Sequence, residues 1–307
     1  MPEINIIYIA GAGRSGSTLL DAILGESNNA FSLGEVRQIW KYLLKYKKAK
    51  CSCGKIIFEC PFWEKILLNI FKNSPPTEKE LETIYRLQKI VESIPILNPY
   101  NRKKFMDQNQ EKLKEYSNFI WNLYKFASDL SGCKTLIDSS KLPHYLYILK
   151  DLPVNLYVLH LVRDPRGVAY SWTKEKFNPS SGEHMKKHHP FTSARIWNIF
   201  NLGTEKFRNQ NYILIKYEDL TENIMNTLKY LNNILNLKGS FHIEGNTIKL
   251  FKEKHLIGGN PAKFSFQKEI QIKKDTEWLK KLSIHHKLLV SFLTFPLMKK
   301  FKYSFFK

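Results

Sequence analysis

The chain has 307 residues, 43% of them hydrophobic, and carries 48 lysines and arginines against 28 aspartates and glutamates, a formal charge of +20. That apolar content, with its many aromatics, excludes a disordered chain and supplies a sizeable core. The positive excess points to an anionic partner such as a nucleotide, nucleic acid, acidic glycan or anionic membrane. The competing reading is a lysine-rich solvated surface, because no arginine-rich arm or dense basic run occurs.

Residues 4 to 10, INIIYIA, are β-branched and apolar and predict a buried parallel strand. They are too short for a secretory signal core, lack a basic leader and run straight into a glycine loop. STLLDAILGES then shows helical spacing and stops near Gly25. Strand, loop and helix frame IAGAGRSGSTLL, whose spacing from Gly11 through Gly16 to Thr18 is that of a P-loop. Ser17, however, stands where a nucleoside triphosphatase has its phosphate-gripping lysine. FSLGEVRQIWKYLLKYKK predicts a short extended piece and an amphipathic helix. Residues 51–132 predict a cysteine loop and two or three helices, an insertion that covers the sheet.

The β-α alternation resumes with KTLIDSSK as strand and turn, LPHYLYILKDL as helix and VNLYVLHLVRD as strand. PRGVAYSWTKE follows as a helix with Pro165 in its first turn. NPSSGEHMKKHHP predicts a mobile loop; then come the helix ARIWNIFNLGTEKF, the strand NYILIKYED and a helix beginning after Asp219. The tail from about 240 is expected to be irregular, with one or two terminal helices. No run reaches membrane-spanning length. LLVSFLTFPLM and the basic MKKFKYSFFK suit a last core helix with a basic end, with peripheral contact to an anionic membrane as the alternative. Without repeats or a dividing linker, the expectation is a single cytoplasmic α/β domain over 1–307. Its central sheet is mostly parallel, with a P-loop-type strand-loop-helix, flanking helices and the helical insertion.

Successive backbone N–H groups of residues 13 to 18 can point into one concavity at a helix N-terminus. Arg14 adds a planar fork for two oxygens, and Ser15, Ser17 and Thr18 add hydroxyl donors. Such a nest suits a terminal phosphate and whatever it bears; without the lysine, a triphosphate with magnesium is disfavoured. Arg163 ends a later strand, and Ser171 lies two turns along the helix that follows, so the two can share a face and hold a second phosphate. As surface residues they would do nothing of the kind.

Cys51, Cys53 and Cys60 cluster in CSCGKIIFEC, with Cys133 far away. Zinc usually wants four ligands with paired C-x-x-C spacing, and the second pair is missing here. A disulfide is a second reading; buried free thiols without metal are favoured. The histidines of HMKKHH (His184, His188, His189) sit in a loop with nothing to fix their geometry and are taken as an acceptor-loop feature only.

GRSGSTLL after the first strand and VRDPRGVAYS after a later one resemble the PAPS-dependent sulfotransferases. LGEVR, DSSK, KYEDL, HLIGGNPAKF and CSCG…ECPFW extend the resemblance over residues 4 to about 266. It implies that Gly13, Arg14, Ser15, Gly16, Ser17 and Thr18 bind the 5′-phosphosulfate of 3′-phosphoadenosine 5′-phosphosulfate (PAPS). Arg163 and Ser171 would bind its 3′-phosphate. Tyr217 and, from GNPAK, Gly259, Asn260 and Lys263 resemble positions near the adenosine and the 3′-phosphate. Many relatives carry arginine where Lys263 stands, and lysine keeps the charge but loses the bidentate grip.

The resemblance also implies catalytic residues. Glu35 in LGEVR matches a base of the protein-tyrosine sulfotransferases, and partial burial would raise its pKa for that task. The alternative is a glutamate that merely caps the next helix. Lys141 of DSSK, at the sheet's C-terminal edge, would join Arg14 in stabilising charge on the sulfonate or the leaving phosphate, or would be solvated. The implied reaction is direct in-line transfer to an acceptor hydroxyl without metal, leaving adenosine 3′,5′-bisphosphate. A carbohydrate or glycolipid is the favoured acceptor, ahead of a peptide tyrosine or a small phenol or alcohol. A P-loop nucleotide kinase and a non-catalytic polyanion-binding protein remain as other classes. With no nucleic-acid module recognisable, no nucleic-acid partner is expected.

Overall fold

In the computed structural model, residues 3–209, 211–239, 241–266 and 268–306 are described; Lys307, at the end of the basic tail, lies outside them. The first strand, β1 (Ile4–Ala10), leads through the glycine loop into α1 (Ser17–Leu24). Next come β2 (Ala30–Gly34) and α2 (Gln38–Lys45). The insertion holds a 3-10 turn at Ile57–Glu59 and four α-helices rather than two or three: α3 (Trp63–Ile70), α4 (Glu78–Glu92), α5 (Pro99–Gln108) and α6 (Gln110–Ser131). The extra boundary is local chemistry. Asn98 caps α5 with Pro99 in its first turn, and the chain breaks at Asn109 before α6 begins.

Alternation then resumes with β3 (Thr135–Lys141), α7 (Pro143–Leu149), β4 (Val154–Val162) and α8 (Pro165–Thr173). A hairpin of β5 (Phe177–Asn178) and β6 (Glu183–His184) interrupts the expected mobile loop. After α9 (Pro190–Glu205) and β7 (Tyr212–Lys216), the helix expected beyond Asp219 already starts at Tyr217. It comes in two pieces, α10 (Tyr217–Glu222) and α11 (Ile224–Ile234). The tail is less irregular than expected: β8 (Ile243–Glu244), β9 (Thr247–Lys249) and β10 (Glu269–Gln271) form a small antiparallel sheet. Strands of two or three residues are too short for alternation to show. Two helices follow, α12 (Glu277–Lys281) and α13 (Ile284–Lys300).

The central sheet runs in the order β2-β3-β1-β4-β7, and every pairing in it is parallel. Alternate residues of β1 serve opposite faces. Ile4, Ile6 and Tyr8 pack with the insertion helices, whereas Ile7 and Ile9 pack with α1 and α11. A strand buried on both sides reads as a continuous apolar run, which is why INIIYIA was legible. The insertion thus covers one face and leaves open the C-terminal ends of the strands, where ligands of α/β sheets bind. On α13, Val290, Thr294 and Met298 face inward while Ile284, Leu288, Phe292 and Phe295 are exposed, so this helix is core on one side only. No helix among the described residues is long and apolar enough to cross a membrane.

Candidate active site

The glycine loop lies between two aromatic rings. At Gly16, φ is +94° and a Cβ would come within 2.6 Å of the Tyr217 ring, so only glycine fits between loop and ring. Arg14 also holds a left-handed backbone, φ 70°, an unusual conformation for a residue with a side chain. Its guanidinium stacks 4.7 Å from the Trp172 ring centroid, and Nη2 meets the Met185 sulfur at 3.3 Å. Burial lowers its pKa from the usual arginine value, with Glu35 opposing the shift. Arg14 Nε and Ser15 Oγ are buried without a hydrogen-bond partner among the described residues. The N-terminus of α1 has no side-chain cap either. Unpartnered donors at a helix N-terminus are what an anion would satisfy.

Arg163, at the end of β4, reaches the glycine loop from a second segment. Its Nη1 donates to Arg14 O at 3.0 Å, Nη2 to Asp275 Oδ2 at 3.0 Å, and the guanidinium stacks 4.4 Å from the Tyr217 ring centroid. Trp197 Nε1 donates to the Arg163 carbonyl at 3.0 Å, fixing the strand end. Ser171, buried on α8, lines the same cavity as Arg163.

Glu35 follows the last residue of β2. Gly34 is at φ +77°, and a Cβ there would lie 2.5 Å from Ile257 O. That close approach lets Glu35 N donate to Ile257 O at 2.7 Å and Ile257 N to Leu33 O at 3.0 Å, pinning the base of the side chain. The carboxylate is buried and paired with Lys141. Burial pushes its pKa up, but Lys141 and Arg37 together outweigh burial and hold it below the ordinary glutamate value. This corrects the expectation of a raised pKa: Glu35 sits between cations as a carboxylate rather than alone in an apolar pocket. Lys141 also adopts a left-handed backbone, φ 69°, and its carbonyl accepts from Gly11 N at 3.1 Å, tying it to the start of the glycine loop.

Arg37, the last residue of LGEVR but not singled out there, is the second cation beside Glu35. Its Nε donates to Ser140 O at 3.2 Å and Nη1 pairs with Glu92 Oε1 at 3.0 Å, so α4 of the insertion helps orient the site. Asp275 and Trp172 were likewise missed. Each lies far along the chain from the arginine it touches, and only PRGVAYSWTKE, which contains Trp172, offered any hint.

Most of the expected residues meet around one cavity of about 520 Å³. Gly13, Arg14, Gly16, Ser17, Thr18, Glu35, Lys141, Arg163, Ser171, Tyr217, Gly259 and Asn260 all line it. Asn260 N donates to Thr18 Oγ1 at 3.3 Å, which closes the GNPAK segment onto the glycine loop. Two do not line it. Ser15 is buried behind the loop, and Lys263 is 2% exposed with Nζ donating to Leu256 O at 3.2 Å. Burial drives the Lys263 pKa down to about 8. The histidines diverge: His188 packs on Trp172 and lines the cavity, His184 pairs with Glu175 at 3.1 Å, and His189 caps α9. Six cationic side chains (Arg14, Arg37, Lys141, Arg163, Lys176, Lys273) face the cavity against two carboxylates, Glu35 and Asp275. Such an excess suits a ligand with several negative charges.

Comparison with known proteins agrees with this geometry. Residues 5–284 match the sulfotransferase domain family. Among solved structures, the sulfotransferase domain from the curacin biosynthetic pathway is similar at 19% identity, covering 99% of both chains with a TM-score of 0.51. The sulfotransferase domain of the Synechococcus PCC 7002 olefin synthase is similar at 17% identity, covering 99% of this chain and 97% of that one with a TM-score of 0.54. No curated protein sequence matches the chain.

Proposed function

Because the chain belongs to the sulfotransferase family, we propose that it moves the sulfonate of PAPS to an acceptor hydroxyl, releasing a sulfate ester and adenosine 3′,5′-bisphosphate. The observation that carries the choice of donor is the joining of Arg14 and Arg163, from two separate loops, in a single cavity rich in cations. The unpartnered Arg14 Nε and the uncapped N-terminus of α1 fit a 5′-phosphosulfate at the glycine loop, and Arg163 with Ser171 fits a 3′-phosphate. Tyr217, stacked beneath Arg163, lies between the two.

When bound, PAPS supplies an activated sulfonate ready for in-line displacement. The chain's own residues then have separate tasks. The loop N–H groups and Arg14 hold the anion in place, which is the larger part of catalysis when no covalent enzyme intermediate forms. Glu35, ionised because Lys141 and Arg37 flank it, takes the proton of the acceptor hydroxyl on a carboxylate oxygen. Lys141 shares its ammonium between Glu35 and the cavity. Its charge stabilises the oxygen of the departing phosphate, a contribution on the order of 3 kcal/mol for a well-placed donor.

A carbohydrate or glycolipid hydroxyl is the proposed acceptor. Leu142, Ile196 and Phe200 on the same cavity wall favour an acceptor with an apolar portion, hence a glycolipid over a wholly polar saccharide. A peptide tyrosine or a small phenol or alcohol is the second reading.

Thermal-shift titration with adenosine 3′,5′-bisphosphate beside ATP with magnesium tests the donor. Saturation at about a hundred times Kd stabilises by roughly 2.7 kcal/mol, a readily measured rise in Tm. Stabilisation by ATP alone would overturn the donor assignment and revive a kinase. Transfer of labelled sulfate to glycolipids, saccharides, tyrosine peptides and simple alcohols then ranks the acceptors.

A further inference from the structure

The cysteine loop meets a histidine that its spacing did not foreshadow. Cys60 Sγ lies 3.2 Å from His255 Nδ1, Cys51 Sγ 4.0 Å from the same nitrogen, and Cys53 Sγ 3.7 Å from Cys60 Sγ. All four ligand atoms lie within 4.8 Å of one another. A tetrahedral zinc ion with Zn–S near 2.3 Å and Zn–N near 2.0–2.1 Å has edges of about 3.8 Å between sulfurs and about 3.6 Å from sulfur to nitrogen. The observed separations bracket those edges. They are far from a disulfide, whose sulfurs stand about 2.05 Å apart. The sequence offered three sulfurs and no second pair; the fold supplies the fourth ligand from 195 residues beyond Cys60.

We propose that Cys51, Cys53, Cys60 and His255 form a structural zinc site, independent of the donor and acceptor assignments above. Three thiolates and one neutral imidazole fill a tetrahedron and leave no open position, which makes the site structural rather than catalytic. Soft sulfur and imidazole ligands select zinc over magnesium or calcium.

The surroundings are built for this. His255 stacks on Phe62 with ring centroids 5.4 Å apart and planes 10° from parallel, while its carbonyl accepts from Trp63 Nε1 at 2.6 Å. Its other ring nitrogen, Nε2, has Glu253 Oε1 at 3.8 Å, beyond hydrogen-bond distance. Three thiolates on a divalent ion leave one net negative charge. The buried ammonium of Lys263, which the donor cavity does not use, lies within electrostatic range of Cys51 and Cys53 and offsets it.

The site has a structural task. Ser52 is laced to residues 254–256: its Oγ donates to Lys254 O at 2.7 Å, and it exchanges bonds with Leu256 through N and Oγ. Ile257, next in line, accepts from Glu35 N at 2.7 Å. Zinc would therefore fasten the insertion to the segment that seats Glu35 and presents Gly259 and Asn260. Binding releases the three thiol protons to solvent with no change of oxidation state.

The test uses the full chain purified without a histidine tag or chelator. Elemental mass spectrometry is expected to find one zinc per chain. Cys51, Cys53 and Cys60 should resist alkylation until a strong chelator removes the metal, while Cys133 reacts throughout. Replacement by cobalt should give the visible absorption of a tetrahedral thiolate complex, and His255→Asn or Cys53→Ser should lose most of the bound zinc. If those variants do not fold, the stoichiometry of the unmodified protein decides. Folded protein that is free of metal and freely alkylated, that carries a Cys53–Cys60 disulfide, or that holds iron instead of zinc overturns the proposal. Nucleotide binding plays no part in these readouts, so a failure here is separable from a failure of the sulfotransferase reading.

Discussion

At the glycine-loop end of the cavity, Arg14 Nε is buried with nothing to bond among the described residues, and the N-terminus of α1 has no side-chain cap. At the other end, Arg163 is already engaged by a carbonyl, a carboxylate and an aromatic face. The first end is a set of donors waiting for an anion; the second is a cation already neutralised in part by Asp275. An anion entering the first end gains hydrogen bonds outright, whereas one entering the second must share Arg163 with a carboxylate or displace it. Buried unpaired donors cost more than paired ones gain, so the loop end stands to gain most from an anion and the Arg163 end sets which anion is tolerated.

This contrast can be broken most forcefully at Arg163. Arg163→Ala removes the cation and leaves Asp275 facing the incoming phosphate, so calorimetry should show adenosine 3′,5′-bisphosphate binding weakened about a thousandfold, the scale for breaking a desolvated charge pair. Arg14→Ala should cost less in affinity, because the loop N–H groups remain. Unchanged affinity in both variants would remove the two-ended cofactor site altogether.

Glu35→Gln comes next: cofactor affinity should hold while turnover falls about a hundredfold or more. The acid limb of turnover in the wild type should lie below the ordinary glutamate pKa, near pH 4.3, because Lys141 and Arg37 hold the folded-state pKa down. The sign for stability is the same. Pairing of a depressed carboxylate contributes above its unfolded pKa and is lost as pH falls through the folded one. A limb centred near pH 6 or 7 would point to a different base.

The smallest effect sharpens the comparison in the opposite direction. Asp275→Asn frees Arg163 without removing it, so the bisphosphate should bind up to about fivefold tighter, the scale of a partly exposed ion pair. Weaker binding would mean that Asp275 positions Arg163 more than it competes for it.

Much of the site was legible because its physics is local. The N–H groups of a glycine turn converge within one loop, and a strand running into a helix places Arg163 and Ser171 two turns apart whatever else the chain does. Glu35 could be picked out as a residue but not in its chemistry, since its pKa depends on Lys141 and on Arg37, which α4 anchors through Glu92. The family resemblance of GNPAK puts Lys263 near the 3′-phosphate, yet its side chain turns inward to Leu256 O. No pattern in the sequence tells which way a side chain at a turn points.

By itself, the amino-acid order determined the parallel α/β framework, the anion-binding loop and the bias towards an anionic ligand, since each follows from adjacent residues or from net charge. Tertiary structure alone decided that Asp275 meets Arg163 across 112 residues, that Glu35 is ionised between two cations, and that His255 completes a ligand set with Cys51 across 204 residues. Hydrogen bonds, charge pairs and coordination act over a few ångströms in space, and separation along the chain fixes those distances only when it is short.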